Sequence, residues 1–459
     1  MSETQTNTIG KEFTFTELMK FVAPPVVTRL FVSLLSTLDD SLFVSRYCGQ
    51  NALAAFSIAL PWFMFVEALG MMVSSISIIC SIKMGEKKNE EAKSDFTTMV
   101  LIALGIGAIL TLILSLFLDK ILLFLGETEL LMPYAKTYMN VSRFYVPLIL
   151  TSYIFSSFYV IAGKPRWAMY SQLINILCQF FFDYLFIVRL DTGIVGAAYA
   201  NLIGSISVNI LAFIFFSNKE REIHFTKPHK DIWGLLKKVM VYGRMQFFTS
   251  MAISLSSYIN NQVQLGIGGE EVVAAFTIVS NVTFMFMNSF FGLIGSTSPI
   301  ASYAYGERNA KKLSRICKQT VVLVTILMCI IILIIVSGKN LIINLYLTES
   351  SSEKVRQMAS LGLSIYPMAL LFFGYNVLVE DFSNALGLHK TSLFLSTMEN
   401  VVFQNSAAIL LPYIFGLNGV WYVFLVTEVL TFFITVVIVY INKDVYGYGK
   451  EGIATFVNK

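Results

Sequence analysis

Charged residues are scarce in this chain. Only 14% of its 459 residues are Asp, Glu, Lys or Arg, against about 25% in soluble globular proteins. The five cysteines are scattered and fit neither a disulfide framework nor zinc-ligand spacing. No Gly-x-x-x-x-Gly-Lys-Ser/Thr phosphate loop occurs, which argues against direct use of ATP. The formal net charge is small, +4, and we expect no nucleic-acid partner.

Long apolar runs take the place of the missing charge. Hydrophobic residues make up 56% of the chain, and runs of about 20 such residues can cross a bilayer as helices. We identify twelve segments, which predicts an all-α integral membrane protein with twelve transmembrane helices. The first six segments cover approximately residues 16–45, 53–83, 95–118, 132–162, 168–190 and 193–217. The second six cover approximately residues 236–265, 272–303, 314–346, 355–387, 392–415 and 417–441.

Lysine and arginine collect in alternate loops. They are numerous after segments 2, 4, 6 and 8, as at Lys87, Arg166, Lys230 and Lys312, and sparse in the opposite loops. Positive loops remain on the cytoplasmic side of a membrane. We therefore expect a multi-pass protein of the plasma membrane with both termini in the cytoplasm.

The two halves of the chain resemble each other. Residues 52–58 read Ala-Leu-Ala-Ala-Phe-Ser-Ile, and residues 272–278 read Val-Val-Ala-Ala-Phe-Thr-Ile. Other matches keep an offset of about 220 to 224 residues. A six-helix repeat returns the chain to the side where it began, so the halves should be parallel repeats. We predict two six-helix domains, 1–225 and 226–459.

Acidic residues inside apolar segments indicate function, because each charge costs roughly 2.5–3.5 kcal/mol at the centre of a membrane helix. Asp39 and Asp40 lie side by side in segment 1, and Asp183 lies in segment 5. At the repeat offset, Asp40 aligns with Asn260 and Asp183 aligns near Ala407. Because these acids have no ionisable counterpart, we expect the proton or cation site in the N-terminal half.

Three further acids belong to the second half alone. Glu380, Asp381 and Glu399 align with neutral residues of the first half. They could form a separate site, attract a cationic substrate, or simply hydrogen-bond between helices. Met287 is a candidate for the lining of a soft internal cavity, since methionine repacks readily and the nearby phenylalanines attract organic cations.

Pro24 and Pro25 fall early in segment 1. A proline within a helix removes a backbone hydrogen bond, which membrane helices tolerate where neighbours satisfy the freed carbonyl. Pro25 is therefore a candidate hinge whose bend changes with the protonation of Asp40. A static kink is the alternative interpretation.

Several motifs follow one another in a recognisable order. Pro25 precedes Asp40-Ser-Leu-Phe-Val-Ser45, and segment 5 carries Gln179-Phe-Phe-Phe-Asp183. Residues 193–201 read Gly-Ile-Val-Gly-Ala-Ala-Tyr-Ala-Asn, and residues 299–306 read Pro-Ile-Ala-Ser-Tyr-Ala-Tyr-Gly. Over nearly the whole chain, this order resembles the MATE (multidrug and toxic compound extrusion) transporters, and among them the MepA-like bacterial exporters.

The resemblance implies a V-shaped pair of six-helix bundles. It also implies efflux of lipophilic, often cationic drugs by antiport with H⁺ or Na⁺, hence a role in xenobiotic transport and antibiotic resistance. The family's cation site carries over to Asp40, Gln179, Asp183 and Asn201, with Gln and Asn where the family has Asn and Thr. We expect a monomer in contact with membrane lipid, no cofactor and no tightly bound metal.

Two other functions compete with drug export. A flippase of lipid-linked sugars from the same superfamily typically needs a strongly cationic cavity for pyrophosphate, but helical acids outnumber Arg29, Arg143 and Arg244. An intramembrane aspartyl protease could use Asp40 and Asp183 as a carboxylate dyad, but no Gly-x-Gly-Asp stretch follows any segment. We therefore expect a transporter and no enzymatic activity.

Overall fold

The computed structural model of the chain describes residues 10–36, 43–48, 50–125, 129–346 and 353–446. All regular secondary structure in these ranges is helical. The prediction of an all-α membrane protein is confirmed.

The helices of the first half connect through short turns. The α-helices are α1 (Phe15–Ser36), α2 (Gln50–Ser74), α3 (Ile76–Gly85), α4 (Asn89–Leu125), α5 (Met132–Ser142), α6 (Val146–Ile161), α7 (Pro165–Asp183) and α8 (Ile194–Ser217). Two π-helical turns, Val44–Cys48 and Tyr184–Arg189, precede α2 and follow α7.

The second half repeats this pattern of long helices and short turns. Its α-helices are α9 (Ile232–Gly306), α10 (Ala310–Tyr346), α11 (Glu353–Ile365), α12 (Leu370–Ala385), α13 (His389–Thr397), α14 (Gln404–Phe415) and α15 (Leu417–Ile441). A third π-helical turn, Met398–Phe403, joins α13 to α14.

Ten helical stretches among the described residues are long and apolar enough to cross a membrane. The other two predicted segments, 236–265 and 392–415, are also helical. Polar side chains such as Asn260 and Glu399 lower the hydropathy of these two segments. The ten apolar stretches therefore correspond to ten of the twelve predicted segments. The two segments without a counterpart are the most polar ones.

Helical conformation extends through residues 265–272 of α9, between predicted segments 7 and 8. This stretch contains glycines but no proline. A glycine within a helix costs only about 1 kcal/mol relative to alanine. The helical backbone hydrogen bonds can therefore continue across the predicted boundary.

The chain divides into two compactly packed units, and the boundaries between them fall within α1 and within α9. Val27–Phe247 belong to a first compact unit, whereas Glu12–Val26 and the chain from Phe248 onward belong to a second. The start of α1 thus packs with the second unit, and the start of α9 with the first. The domains 1–225 and 226–459 follow the sequence duplication rather than this packing, and they remain a prediction.

The linker after α8 is attached to the first unit. The ring of Phe225 stacks on that of Phe96 in α4, with 5.3 Å between their centroids. The backbone N–H of His229 donates a hydrogen bond to the hydroxyl of Thr98, at 2.6 Å. The segment from α8 to α9 therefore packs against α4.

Candidate functional site

Asp183 is the last residue of α7 and is fully buried. The π-helical turn Tyr184–Arg189 begins directly after it. Such turns occur frequently at functional sites, because they shift the direction of the side chains that follow. A buried carboxylate at this junction fits the predicted role in cation coupling.

Gln179 and Asn201 meet across the interface of α7 and α8. The side-chain amide of Gln179 donates a hydrogen bond to the amide oxygen of Asn201. Asn201 in turn donates to the carbonyl of Ala197, at 3.1 Å. Gln179 and Asp183 are four residues apart and therefore share one face of α7. Three of the four predicted coupling residues thus lie on two packed helices.

Asp40, the fourth predicted coupling residue, lies outside the described residues, as does Asp39. The chain is described again from Phe43, whose ring packs edge-on against Phe180 of α7, at 5.1 Å between centroids. The thiol of Cys48 lies within electrostatic reach of Asp183. The segment that begins at Phe43 therefore packs against α7, the helix that ends at Asp183.

Pro24 and Pro25 lie inside α1, which stays helical through both. A Cβ atom built on Gly292 of α9 would lie 2.8 Å from the carbonyl oxygen of Pro25 and 3.0 Å from its carbonyl carbon. The backbones of α1 and α9 can therefore meet here only because residue 292 is glycine. The role of Pro25 as a hinge remains a prediction.

This contact predicts that Gly292→Ala destabilises the protein. The added methyl would press on the backbone of Pro25, and overpacking of this kind costs about 1–3 kcal/mol. Gly295→Ala on the same helix is the matched control, because nothing lies within 4 Å of its added Cβ. We expect a lower midpoint of thermal unfolding for Gly292→Ala only. Equal midpoints for the two variants would contradict the close contact.

The second unit contains a cluster of buried acids. Glu380 on α12, Glu399 in the π-helical turn and Glu428 on α15 are 5%, 5% and 1% exposed. The charge of Glu399 acts on Glu380, and that of Glu428 acts on Glu399. No ion pair joins any of the three to a basic residue in the described ranges. Buried like charges repel, so this acidic cluster favours uptake of a proton or cation.

Neutral polar groups surround one side of the acidic cluster. The amide of Asn376 donates to the Oε2 atom of Glu428, at 2.8 Å, and to its backbone carbonyl, at 3.0 Å. Thr435 donates to the amide oxygen of Asn376, at 2.9 Å. In contrast, Oε1 of Glu380 and Oε2 of Glu399 have no hydrogen-bond partner in the described part of the chain. These two oxygens are free to hold a proton or ligand.

Glu428 belongs to this cluster but was not among the predicted site residues. The repeat could have indicated it. At an offset of 224 residues, Glu399 aligns with Asn175 and Glu428 with Gly204. A Cβ on Gly204 would lie 2.7 Å from the amide oxygen of Asn175. Asn175 and Gly204 therefore lie close together in the first half, and they correspond to the carboxylate pair Glu399 and Glu428 in the second.

Asp381 and Met287 are the remaining candidates from the sequence. Asp381 is half-buried and accepts a hydrogen bond from Ser298. It follows Glu380 directly and therefore points about 100° away around α12. Met287 is half-buried on α9, one turn before Phe290. The Oδ2 atom of Asp381, like Oε1 of Glu380, has no hydrogen-bond partner in the described ranges.

The chain is similar to known transporters over nearly all of its length. A family model described as MatE matches residues 24–185 and again residues 246–406, at the offset of the internal repeat. Multidrug export protein MepA of Staphylococcus aureus is 20% identical over 449 residues, 97% of each chain. The protein of the same description from Staphylococcus saprophyticus is 20% identical over 452 residues, again 97% of each.

Solved structures share the fold. One is described as MATE in complex with MaD3S, with a TM-score of 0.88 and 20% identity over 98% of this chain and 100% of that one. Another is a MOP superfamily transporter from Pyrococcus furiosus, described as having a binding pocket of reverse polarity that suggests a different function. It has a TM-score of 0.87 and 20% identity, over 97% of this chain and 99% of that one.

Proposed function

Because this chain belongs to the MatE family of membrane transporters, we propose that it exports lipophilic or cationic drugs in exchange for H⁺ or Na⁺. The relatives named as multidrug export proteins support the direction and the kind of substrate. MATE transporters are not enzymes and need no cofactor, so the exchanged ion supplies the driving force.

The burial of Asp183 beside the Gln179–Asn201 contact is the observation that carries this proposal. We assign ion coupling to Asp40, Gln179, Asp183 and Asn201. Two carboxylates in a partly dry site favour one shared proton or cation. Ion binding then changes the balance of inward- and outward-facing states, about tenfold for each 1.4 kcal/mol of differential binding.

The acidic cluster of the second unit is a second proposed site. Glu380 and Glu399 present carboxylate oxygens that have no hydrogen-bond partner in the described ranges, and Glu428 lies beside them. We propose that they take up a second ion or attract the charged end of a substrate. Asp381 and Met287 are assigned to the surroundings of this second site.

Pro25 is proposed as the hinge of α1. The division of the chain into two packing units falls between Val26 and Val27, one residue after this proline. A bend at Pro25 would therefore move the two parts of α1 with different units. The missing backbone N–H of proline lowers the cost of such a bend.

Transport into sealed vesicles tests the proposed function. Purified protein is reconstituted, and a pH gradient or a Na⁺ gradient is imposed separately while the movement of a cationic drug is followed. We expect accumulation under at least one gradient and none when both are absent. Equal drug movement with and without either gradient would contradict antiport.

We further propose a monomer in the plasma membrane with both termini in the cytoplasm. Single cysteines placed at Lys88, Lys230 and Lys311, in a background without the native cysteines, test this orientation. All three lysines are exposed, so poor accessibility would not be due to burial in the protein. We expect membrane-impermeant thiol reagents to label them only after the cells are opened. Rapid labelling in intact cells would overturn the orientation.

A further inference from the structure

Glu67 is a carboxylate near the middle of a membrane crossing. It lies on α2, 14 residues after the start and 16 residues before the end of predicted segment 2, residues 53–83. Its side chain is exposed. Since the hydrocarbon core is about 30 Å thick, this exposure places the carboxylate against either lipid or an internal space open to water.

The residues around Glu67 indicate that its carboxylate faces the internal space and not the lipid. Gly70, one helical turn further along α2, faces α6, because a Cβ built on it would lie 2.5 Å from the ring of Tyr153. Glu67 shares this face of the helix, since residues three apart are neighbours. A carboxylate turned to lipid at this depth would also cost roughly 2.5–3.5 kcal/mol.

Two charged side chains from different helices act on Tyr153 at this point. The charges of Glu67 on α2 and of Arg29 on α1 both reach the hydroxyl of Tyr153 on α6. Glu67 and Arg29 are both exposed, and the described ranges contain no ion pair within 4.0 Å for either. Among the described residues, no side chain neutralises the carboxylate of Glu67, which leaves it open to an external cation.

A carboxylate beside an aromatic ring has the chemistry to bind an organic cation. The carboxylate supplies the opposite charge, and an aromatic face attracts a cation by about 0.5–2 kcal/mol. Met64, one turn before Glu67, is 47% exposed on the same stripe of α2. Its thioether can adapt to apolar groups of different shape.

We propose that Glu67 and Tyr153 bind the positively charged end of an organic cation, and that Arg29 opposes this binding and so sets the preference for charge. The proposal rests on the proposed export of drugs, for which it names a substrate-binding position. This position is distinct from the coupling residues on α7 and α8 and from the acidic cluster of the second unit. It requires Glu67 for the recognition of charge but not for ion coupling.

Binding of two small molecules to the purified full-length protein in lipid nanodiscs tests the proposal. The probes are ethidium, a lipophilic monocation, and chloramphenicol, which is uncharged. We expect Glu67→Gln to weaken ethidium binding about tenfold and to leave chloramphenicol binding unchanged. Glu67→Asp should recover part of the loss because it retains the charge.

The neighbouring residues provide changes of opposite direction. Arg29→Gln should tighten ethidium binding, because it removes a positive charge near the bound cation. Tyr153→Phe should keep most of the affinity, whereas Tyr153→Leu should lower it several-fold by removing the aromatic face. Glu90→Gln is the matched control, since Glu90 is an exposed glutamate at the start of α4 paired with Lys93 at 2.8 Å. It should bind both probes as the wild type does.

Two results would overturn the proposal. One is an unchanged dissociation constant for ethidium in Glu67→Gln. The other is an equal loss of ethidium and chloramphenicol binding in that variant, which would indicate a structural role for Glu67. Failure of the proposed function is a separate result, namely a wild-type protein that binds ethidium but moves it under neither gradient. Charge-selective loss of binding in Glu67→Gln would support the position even then.

Discussion

Replacing Asp183 with asparagine should abolish gradient-driven drug efflux while folding and drug binding persist. The amide has the shape and neutral charge of a protonated carboxyl group but cannot release a proton. The side chain is fully buried at the end of α7. Asp40→Asn should have the same effect. The measurement is efflux from energised vesicles, together with ligand binding to each purified variant.

Asp191→Asn is the matched control for this prediction. Asp191 is an exposed acid eight residues after Asp183, in a left-handed backbone conformation with φ of 48°, which asparagine also adopts readily. We expect this variant to export drug normally. Asp39→Asn should be milder than Asp40→Asn, because adjacent residues point about 100° apart around a helix. Full gradient-driven efflux by Asp183→Asn would remove this residue from the coupling mechanism.

Asn376→Leu should lower the free energy of unfolding by on the order of 3 kcal/mol. Asn376 is 1% exposed and makes three hydrogen bonds between α12 and α15. Leucine would leave the carboxylate of Glu428 without its donor and the hydroxyl of Thr435 without its acceptor. A buried polar group that loses its partner costs about 1–3 kcal/mol, and more when it is charged. Unfolding in mixed micelles of increasing SDS content measures the loss.

Two further variants separate the loss of hydrogen bonds in Asn376→Leu from the effect of a changed side-chain volume. Thr435→Val removes one neutral hydrogen bond and should cost only about 1 kcal/mol. Glu428→Gln in the Asn376→Leu background should cost less than it does alone, because the hydrogen bond between the two side chains is already absent there. A coupling energy near zero in this double-mutant cycle would contradict the hydrogen-bonded pair.

The apolar runs predict the helices well because bilayer thickness fixes their minimum length. The same reasoning does not show that helical conformation extends through residues 265–272, between segments 7 and 8. It also does not reveal that the linker near His229 hydrogen-bonds to α4. That attachment depends on which loop lies beside which helix end, and no periodicity encodes it.

The candidate sites, like the fold, could be predicted from the sequence only in part. The family pattern pairs Gln179 with Asn201, and the structure places their amides in contact. Hydropathy alone does not distinguish Glu428, which is buried against Asn376, from Glu67, which is exposed. Both are single acids in apolar segments, and their environments depend on the rotation and packing of each helix.

Reciprocal exchange tests the central claim of antiport most directly. Vesicles containing the purified protein are loaded with a cationic drug, with no gradient of H⁺ or Na⁺, and the internal pH and Na⁺ content are followed as the drug leaves. Antiport predicts that drug movement drives H⁺ or Na⁺ in the opposite direction, and that Asp183→Asn eliminates this counter-movement. Protein-dependent drug movement without counter-movement of either ion would contradict antiport.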